Sequence, residues 1–249
     1  MTIEIAPAKL TWFLEITGFR ENGYHELRSE MVTLDLCDQL EIDKNQDFLK
    51  VEGAGPEVPS DGTNLVARAL SMVGRLAGVT VKKRIPTGGG LGGGSADAAA
   101  ILRWAGGVSD EMALQLGGDV PFCQLGGRAL VEGVGEKLTP LGFEERAVTL
   151  LLPSFSVNTR ECYEAFDEQW ANGAKSTDRN HLTQAARAVE PRLGVALDWL
   201  KGELGQEIVL AGSGSTMFVE GHLRQDEKSW DVQSPVGTMR FLQAVTTPR

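Results

Sequence analysis

Residues 88–95 read Gly-Gly-Gly-Leu-Gly-Gly-Gly-Ser, with six glycines among the first seven positions. Glycine loses more backbone freedom on folding than any other residue, so so dense a run suggests that the backbone must approach something closely. Residues 96–104 are rich in alanine and read as a helix whose first turn includes Ser95 and Ala96. Free N–H groups and the positive end of the helix dipole there make an anion site, with a triphosphate as its natural occupant. A flexible loop with a helix cap is the alternative. Gly88, Gly90 and Gly93 satisfy GxGxxG, but six glycines in seven meet that pattern easily. A Rossmann fingerprint also wants an acid ending a strand ~20 residues on, and the nearest acid, Asp110, falls in a loop or helix start. A Walker A loop needs Lys after its last Gly, where this chain has Ser95.

Five further segments carry groups suited to phosphoryl transfer or to holding its substrates. In Gly-Gly-Asp-Val-Pro-Phe, glycines present Asp119 into a crowded space, where it could serve as a base toward a hydroxyl if a cation lies beside it. Capping a short helix that begins at Pro121 is the other reading. Lys9, in Ala-Pro-Ala-Lys-Leu, lies between strand-like pieces; it either points inward toward phosphate or carboxylate, or lies on the surface. Asn22-Gly23 signals a tight turn before Tyr24 and His25. A Tyr ring can stack on a base and a His can hydrogen-bond a base edge, although an exposed strand start fits equally. Gly212, Ser213, Gly214 and Ser215 form a second glycine loop that either covers a phosphate or lets two backbones pack. Lys82, Lys83 and Arg84 either supply a positive field for anionic substrates or form a solvated strand end.

The elements that must position these groups mix strands and helices without regular βαβ alternation, which predicts an α+β architecture. Residues 2–5 and 10–16 read as two short strands, and residues 31–36 and 39–42 as a strand pair. Residues 53–62, with three Gly and two Pro, read as a loop, and Asn64 as the N-cap of the helix that follows. Residues 129–132 and 137–141 bracket a hairpin turn, and residues 182–204 read as a helix broken at Pro191. A boundary near residues 142–147 predicts a larger domain, 1–145, and a smaller one, 146–249.

The 249 residues are 42% hydrophobic and 23% charged, enough to bury a globular core. The net charge of −10 argues against non-specific nucleic-acid binding. The three Cys, at 37, 123 and 162, form no CxxC and predict reduced thiols in a cytoplasmic protein. No signal peptide or membrane-length apolar run is evident, so small molecules are the expected partners, with neither nucleic acid nor membrane, for a monomer or homodimer.

Taken together, Ala-Pro-Ala-Lys-Leu, Gly-Tyr-His-Glu-Leu, the glycine loop with Ala96-Asp97, Gly-Gly-Asp-Val-Pro-Phe, Glu-Gly-Val-Gly-Glu and the late glycine loop resemble the GHMP kinase superfamily. The resemblance spans residues 6–219 and implies a two-domain fold with its active site in the interdomain cleft. Within the superfamily it is nearest to the branch that transfers the γ-phosphoryl group of ATP, with Mg²⁺, to the 2-hydroxyl of 4-diphosphocytidyl-2-C-methyl-D-erythritol, a step of non-mevalonate isoprenoid synthesis. It implies Asp119 as base and Lys9 as its cationic partner. Gly88, Gly89, Gly90, Leu91, Gly92, Gly93, Gly94 and Ser95 would hold the ATP phosphates. Tyr24, His25 and Tyr163 would receive the cytidine, Thr11 would contact substrate, and Gly212 and Ser213 would close the site. No metal ligand is assigned; Ser95 is equally a metal neighbour or a helix cap. The chain is short for the family and departs from its usual pattern at Thr11 (commonly Asn), Met31 (often aromatic) and Ala96 (often Ser). A superfamily kinase for another alcohol, or a silent nucleotide-binding relative, are the competing readings. Gly-Tyr-His-Glu-Leu speaks against the first, and retention of both Lys9 and Asp119 against the second.

Overall fold

The computed structural model describes residues 1–21, 23–53 and 58–248. Asn22 of the expected tight turn and residues 54–57 of the expected loop lie outside the described residues. Two long antiparallel strands, β1 (Thr2–Phe19) and β2 (His25–Asp43), frame the first half. Each replaces what the sequence suggested were two short strands. Pro7 lies where the β1–β2 register shifts, before Lys9; an irregularity of this kind lets a strand absorb a residue that cannot donate to the ladder. Residues 31–36 and 39–42 run on through one strand and do not pair with each other, since Asp38 between them is buried and bonded to Lys83 and to the Arg84 and Ile85 N–H groups instead of forming a turn.

The first sheet has the order β3 (Phe48–Glu52), β4 (Gly78–Lys82), β2, β5 (Arg128–Gly133), β6 (Lys137–Pro140), with β1 also paired to β2. Helix α1 (Leu65–Met72) starts at Asn64, whose side chain accepts from the Val66 N–H, as expected of an N-cap. Helix α2 (Gly93–Trp104) is buried from Ala96 to Leu102. Its alanines let it approach Ala8 and Leu10 of β1 and the residues of α4 closely in one apolar core. Short helices α3 (Asp110–Leu114) and α4 (Val120–Leu125) follow it.

The second sheet uses β7 (Ala147–Pro153), β8 (Val209–Leu210), β9 (Met217–Glu220), β10 (Ser229–Ser234) and β11 (Gly237–Val245), in the order β10-β11-β7-β9-β8. It packs on α5 (Thr159–Ala171), α6 (Thr183–Val189) and α7 (Pro191–Leu204). The break at Pro191 falls between α6 and α7, as expected. Strand β1 reaches both halves. Leu10 belongs to the first core and Leu14 and Ile16 to the second. The Leu14 N–H donates to Arg179 O at 3.0 Å, and Leu14 O accepts from the His181 N–H at 2.8 Å. Trp12 is stacked between the guanidinium groups of Arg146 and Arg179, 4.3 and 4.8 Å from its ring centre. Apart from the single parallel β3–α1–β4 crossover, helices and strands do not alternate, which is the expected α+β class. No described helix is long and apolar enough to cross a membrane.

Candidate active site

Lys9 follows the register shift of β1, and its side chain is almost wholly buried. The surface placement is therefore excluded. Its Nζ lies 3.3 Å from Asp119 Oδ2 and donates to Thr11 Oγ1 at 3.1 Å. Asp119 precedes α4 but makes no side-chain capping bond, so its carboxylate is free to face Lys9. The loop bearing Asp119 is fixed by the β5–β6 turn, where a Cβ on Gly135 would fall 2.3 Å from Gly118 O. Glu136 of the same turn accepts from Arg20 Nη2 at 2.6 Å, and Arg20 Nε contacts Glu26 at 3.1 Å. One hairpin turn thus steadies both the Asp119 loop and the end of the β1–β2 connection.

The two glycine loops lock together over Lys9. A Cβ on Gly90 would stand 2.5 Å from Ala211 O, and one on Gly92 would stand 2.7 Å from Lys9 Cγ. Both glycines have positive φ, +79° and +69°, a region L side chains rarely enter. The Thr216 N–H donates to Gly89 O at 3.2 Å, and the Lys9 N–H donates to Leu91 O at 3.0 Å. Backbone packing at 211–216 is therefore present. Gly212 also borders Lys9, with a Cβ there 3.4 Å from Nζ, and Ser213 Oγ is 2.8 Å from Thr159 Oγ1.

Helix α2 begins at Gly93 with Gly92 as a cap lacking a side-chain bond, so its first N–H groups have no side-chain partner. The loop divides two hollows. A cleft of about 630 Å³ is lined by Lys9, Thr11, Asp119, Tyr24, His25, Tyr163, Gly212 and Ser213, with Met31 and Ser95. A second, of about 280 Å³, is lined by Gly88, Gly89, Gly90, Leu91, Gly92, Gly93 and Gly94 together with Asn64, Lys83 and Asp97. Gly90 borders both. Leu91 is 1% exposed and belongs to the first core, so only its backbone is available to a ligand.

At the far end of the cleft, Tyr163 and His25 face each other with ring centres 4.7 Å apart. Burial pushes the Tyr163 hydroxyl pKa upward, so the ring is a neutral face. Tyr24 is mostly exposed, at 62%, on the cleft rim. The structure thus brings the sequence-derived site residues into two adjoining hollows.

A model of the GHMP kinases N terminal domain matches residues 64–127. A 4-diphosphocytidyl-2-C-methyl-D-erythritol kinase of Pseudothermotoga lettingae is 34% identical over 280 residues, covering 98% of this chain and 96% of the relative. The chain belongs to the 4-diphosphocytidyl-2-C-methyl-D-erythritol kinase family. The family member of Clostridium beijerinckii is 40% identical over 178 residues, where the match covers 65% of this chain and 64% of that relative's length. A solved structure of 4-(cytidine 5'-diphospho)-2C-methyl-D-erythritol kinase is 29% identical, covers 98% of this chain and 99% of its own, and superposes with a TM-score of 0.72. Methanococcus jannaschii mevalonate kinase, 14% identical with 99% and 98% covered, shares the fold at a TM-score of 0.59.

Against the family pattern, the cluster least visible in the sequence is Asp38, Lys83 and Asp97. Lys83 Nζ is bonded to Asp38 Oδ2 and, at 2.6 Å, to Asp97 Oδ2, and all three side chains are buried. Lys82 pairs with Glu41. Lys83 is thus neither a free positive charge nor a solvated strand end, whereas Lys82, though paired, and Arg84 reach solvent at the end of β4. The partners come from β2, the residue just after β4, and α2, far apart in sequence, so only the fold joins them. Burial pushes the Asp97 carboxyl up to about 7, opposed by the Lys83 charge and reinforced by that of Asp38. A carboxyl raised on folding contributes stability that is present below its ordinary range and lost as pH rises through the folded value. Asp97→Asn cannot ionise and escapes that loss. Its Tm relative to the parent should therefore rise by a few degrees between about pH 5 and about pH 8, at ~2–4 °C per kcal/mol for a chain of this size. A thermal unfolding series with a flat or falling difference would show that Asp97 does not carry the proton.

Proposed function

We propose that this chain transfers the γ-phosphoryl group of ATP to the 2-hydroxyl of 4-diphosphocytidyl-2-C-methyl-D-erythritol. The observation that carries the reading is the Asp119–Lys9 pair, 3.3 Å apart, in a cleft that runs from the glycine loop to the aromatic groups Tyr24, His25 and Tyr163. Asp119 accepts the proton of the acceptor hydroxyl as that oxygen attacks the γ-phosphorus and the bond to the β-phosphate oxygen breaks. Lys9 balances the carboxylate and steadies the hydroxyl, and Thr11 Oγ1 holds the Lys9 ammonium in place. The backbone of residues 88–95 and the first turn of α2 cradle the triphosphate, so catalysis is chiefly positioning and electrostatics. The cytosine stacks against Tyr163 and Tyr24 beside His25. Gly212 and Ser213 close the cleft from the second half.

The donor set fits a magnesium ion carried in with ATP. Ser95, a hard oxygen donor, lines the cleft beside the glycine loop, and such a metal takes most of its ligands from phosphate and water. Ser95 would hold it, and it would neutralise charge on the phosphates. A division at about residue 145, into domains 1–145 and 146–249, is supported by the two sheets that lie on either side of it. The three unpaired thiols support a cytoplasmic location, and a cleft complete in one chain supports a monomer or a homodimer of independent sites.

Phosphorus NMR of the protein with Mg²⁺, ATP and 4-diphosphocytidyl-2-C-methyl-D-erythritol tests the reading. A new phosphomonoester signal is expected. ATP-binding protein that yields none would overturn this acceptor and turn attention to Thr11 and Met31, both on the cleft wall.

A further inference from the structure

His25 and Asp167 are 142 residues apart in sequence, yet His25 Nε2 meets Asp167 Oδ1 at 2.5 Å. Asp167 comes from α5, one turn after Tyr163, and both line the cleft. The imidazole is held on its faces and edges as well. Ring centres lie 4.7 Å away at Tyr163, 5.1 Å at Phe19 and 6.1 Å at Phe166. Its side chain is only 11% exposed, whereas that of Asp167 is 47% exposed. The ring is therefore fixed and its carboxylate partner is not a core element.

A carboxylate only accepts, so the proton between the pair belongs to His25 Nε2. In the neutral ring this leaves Nδ1 as an acceptor. Nδ1 has no hydrogen-bond partner among the described residues. We propose that Asp167 is a positioning residue for base selection: it holds the His25 proton on Nε2, and Nδ1 then favours a pyrimidine whose edge offers an N–H donor. Cytosine presents an exocyclic amine at the position where uracil presents a carbonyl oxygen. The carbonyl would set one lone pair against another, so the site accepts the cytidine diphosphate moiety and rejects the uridine one. The inference rests on the reading of the cleft as a cytidylated-acceptor site and adds a residue that decides which base enters.

The test uses full-length ¹⁵N-labelled protein and long-range ¹H–¹⁵N spectra of its three histidines. His181 is an internal standard, since its Nδ1 accepts from the Ile16 N–H at 3.1 Å. At a pH above about 8, beyond the ordinary imidazole range, His25 of the parent is expected in the same Nε2–H form. An imidazolium, or a proton on Nδ1, would overturn the proposal whatever the chain phosphorylates. In Asp167→Asn the carboxamide can donate to Nε2, which moves the ring proton to Nδ1. Competition by CDP and by UDP against the acceptor then reads out selection. The parent should favour CDP by roughly 10- to 100-fold, the range of one good base-edge contact. Asp167→Asn should lose or invert that ratio, and Asp167→Glu should keep both the Nε2–H form and the preference. An Asn variant with the parent's tautomer and ratio sinks the proposal. A parent with the Nε2–H form that binds neither nucleotide brings down the acceptor reading, and base selection with it, by a different result from a failed tautomer.

Discussion

Asp119→Asn should bind ATP as the parent does and lose ~10²- to 10⁴-fold in kcat, the range for removing a general base. The carboxamide is nearly the same size, and its oxygen can still accept from Lys9 Nζ, 3.3 Å from the present carboxylate. It makes no capping bond whose loss could disturb α4. The substitution therefore removes the proton acceptor and little else. ATP affinity by calorimetry and single-turnover rates would separate the two effects. A variant with near-normal turnover would remove Asp119 from the chemistry and leave it as the neutralising partner of a buried lysine.

Gly90→Ala should lower kcat/KM by about 10²-fold, the scale expected when reacting groups are displaced by about 1 Å. Two penalties coincide there. The backbone has φ +79°, and the new methyl would stand 2.5 Å from Ala211 O and 3.2 Å from Gly214 O. These are backbone atoms, which cannot rotate away, so the seam between the two loops must open. Gly202→Ala in α7 is the control, since a methyl there meets nothing within 4 Å. Equal activity of the Gly90 and Gly202 variants, measured by steady-state kinetics on folded protein, would show that the seam does not position the phosphates.

The parts legible in the sequence were those with local causes. The glycine run, the helix after it, the Asn64 cap and the break at Pro191 each depend on residues within a turn or two. The Asp119–Lys9 pair was legible only as two candidates, because the 109 intervening residues decide whether they meet, and each had an ordinary surface or capping alternative. Strand β2 was read as two pieces because its alternation weakens around Cys37 and Asp38. Asp38 is in fact turned inward to Lys83 and to the Arg84 and Ile85 N–H groups. A buried acid inside a strand looks like a turn until its partners, more than 40 residues away, are in place. Asp167 was invisible for the same reason: on α5 it is one acidic residue among several, and only the fold sets it against His25.

The glycine wall that separates the two hollows has a consequence for the sequence of events in a turnover. Because Gly90 borders both spaces while Asn64 and Tyr163 lie on opposite sides, donor and acceptor have separate doors. Neither has to enter through the space the other fills. Random order is therefore the expected initial-velocity pattern, and a strictly ordered one would show that filling one hollow completes the other.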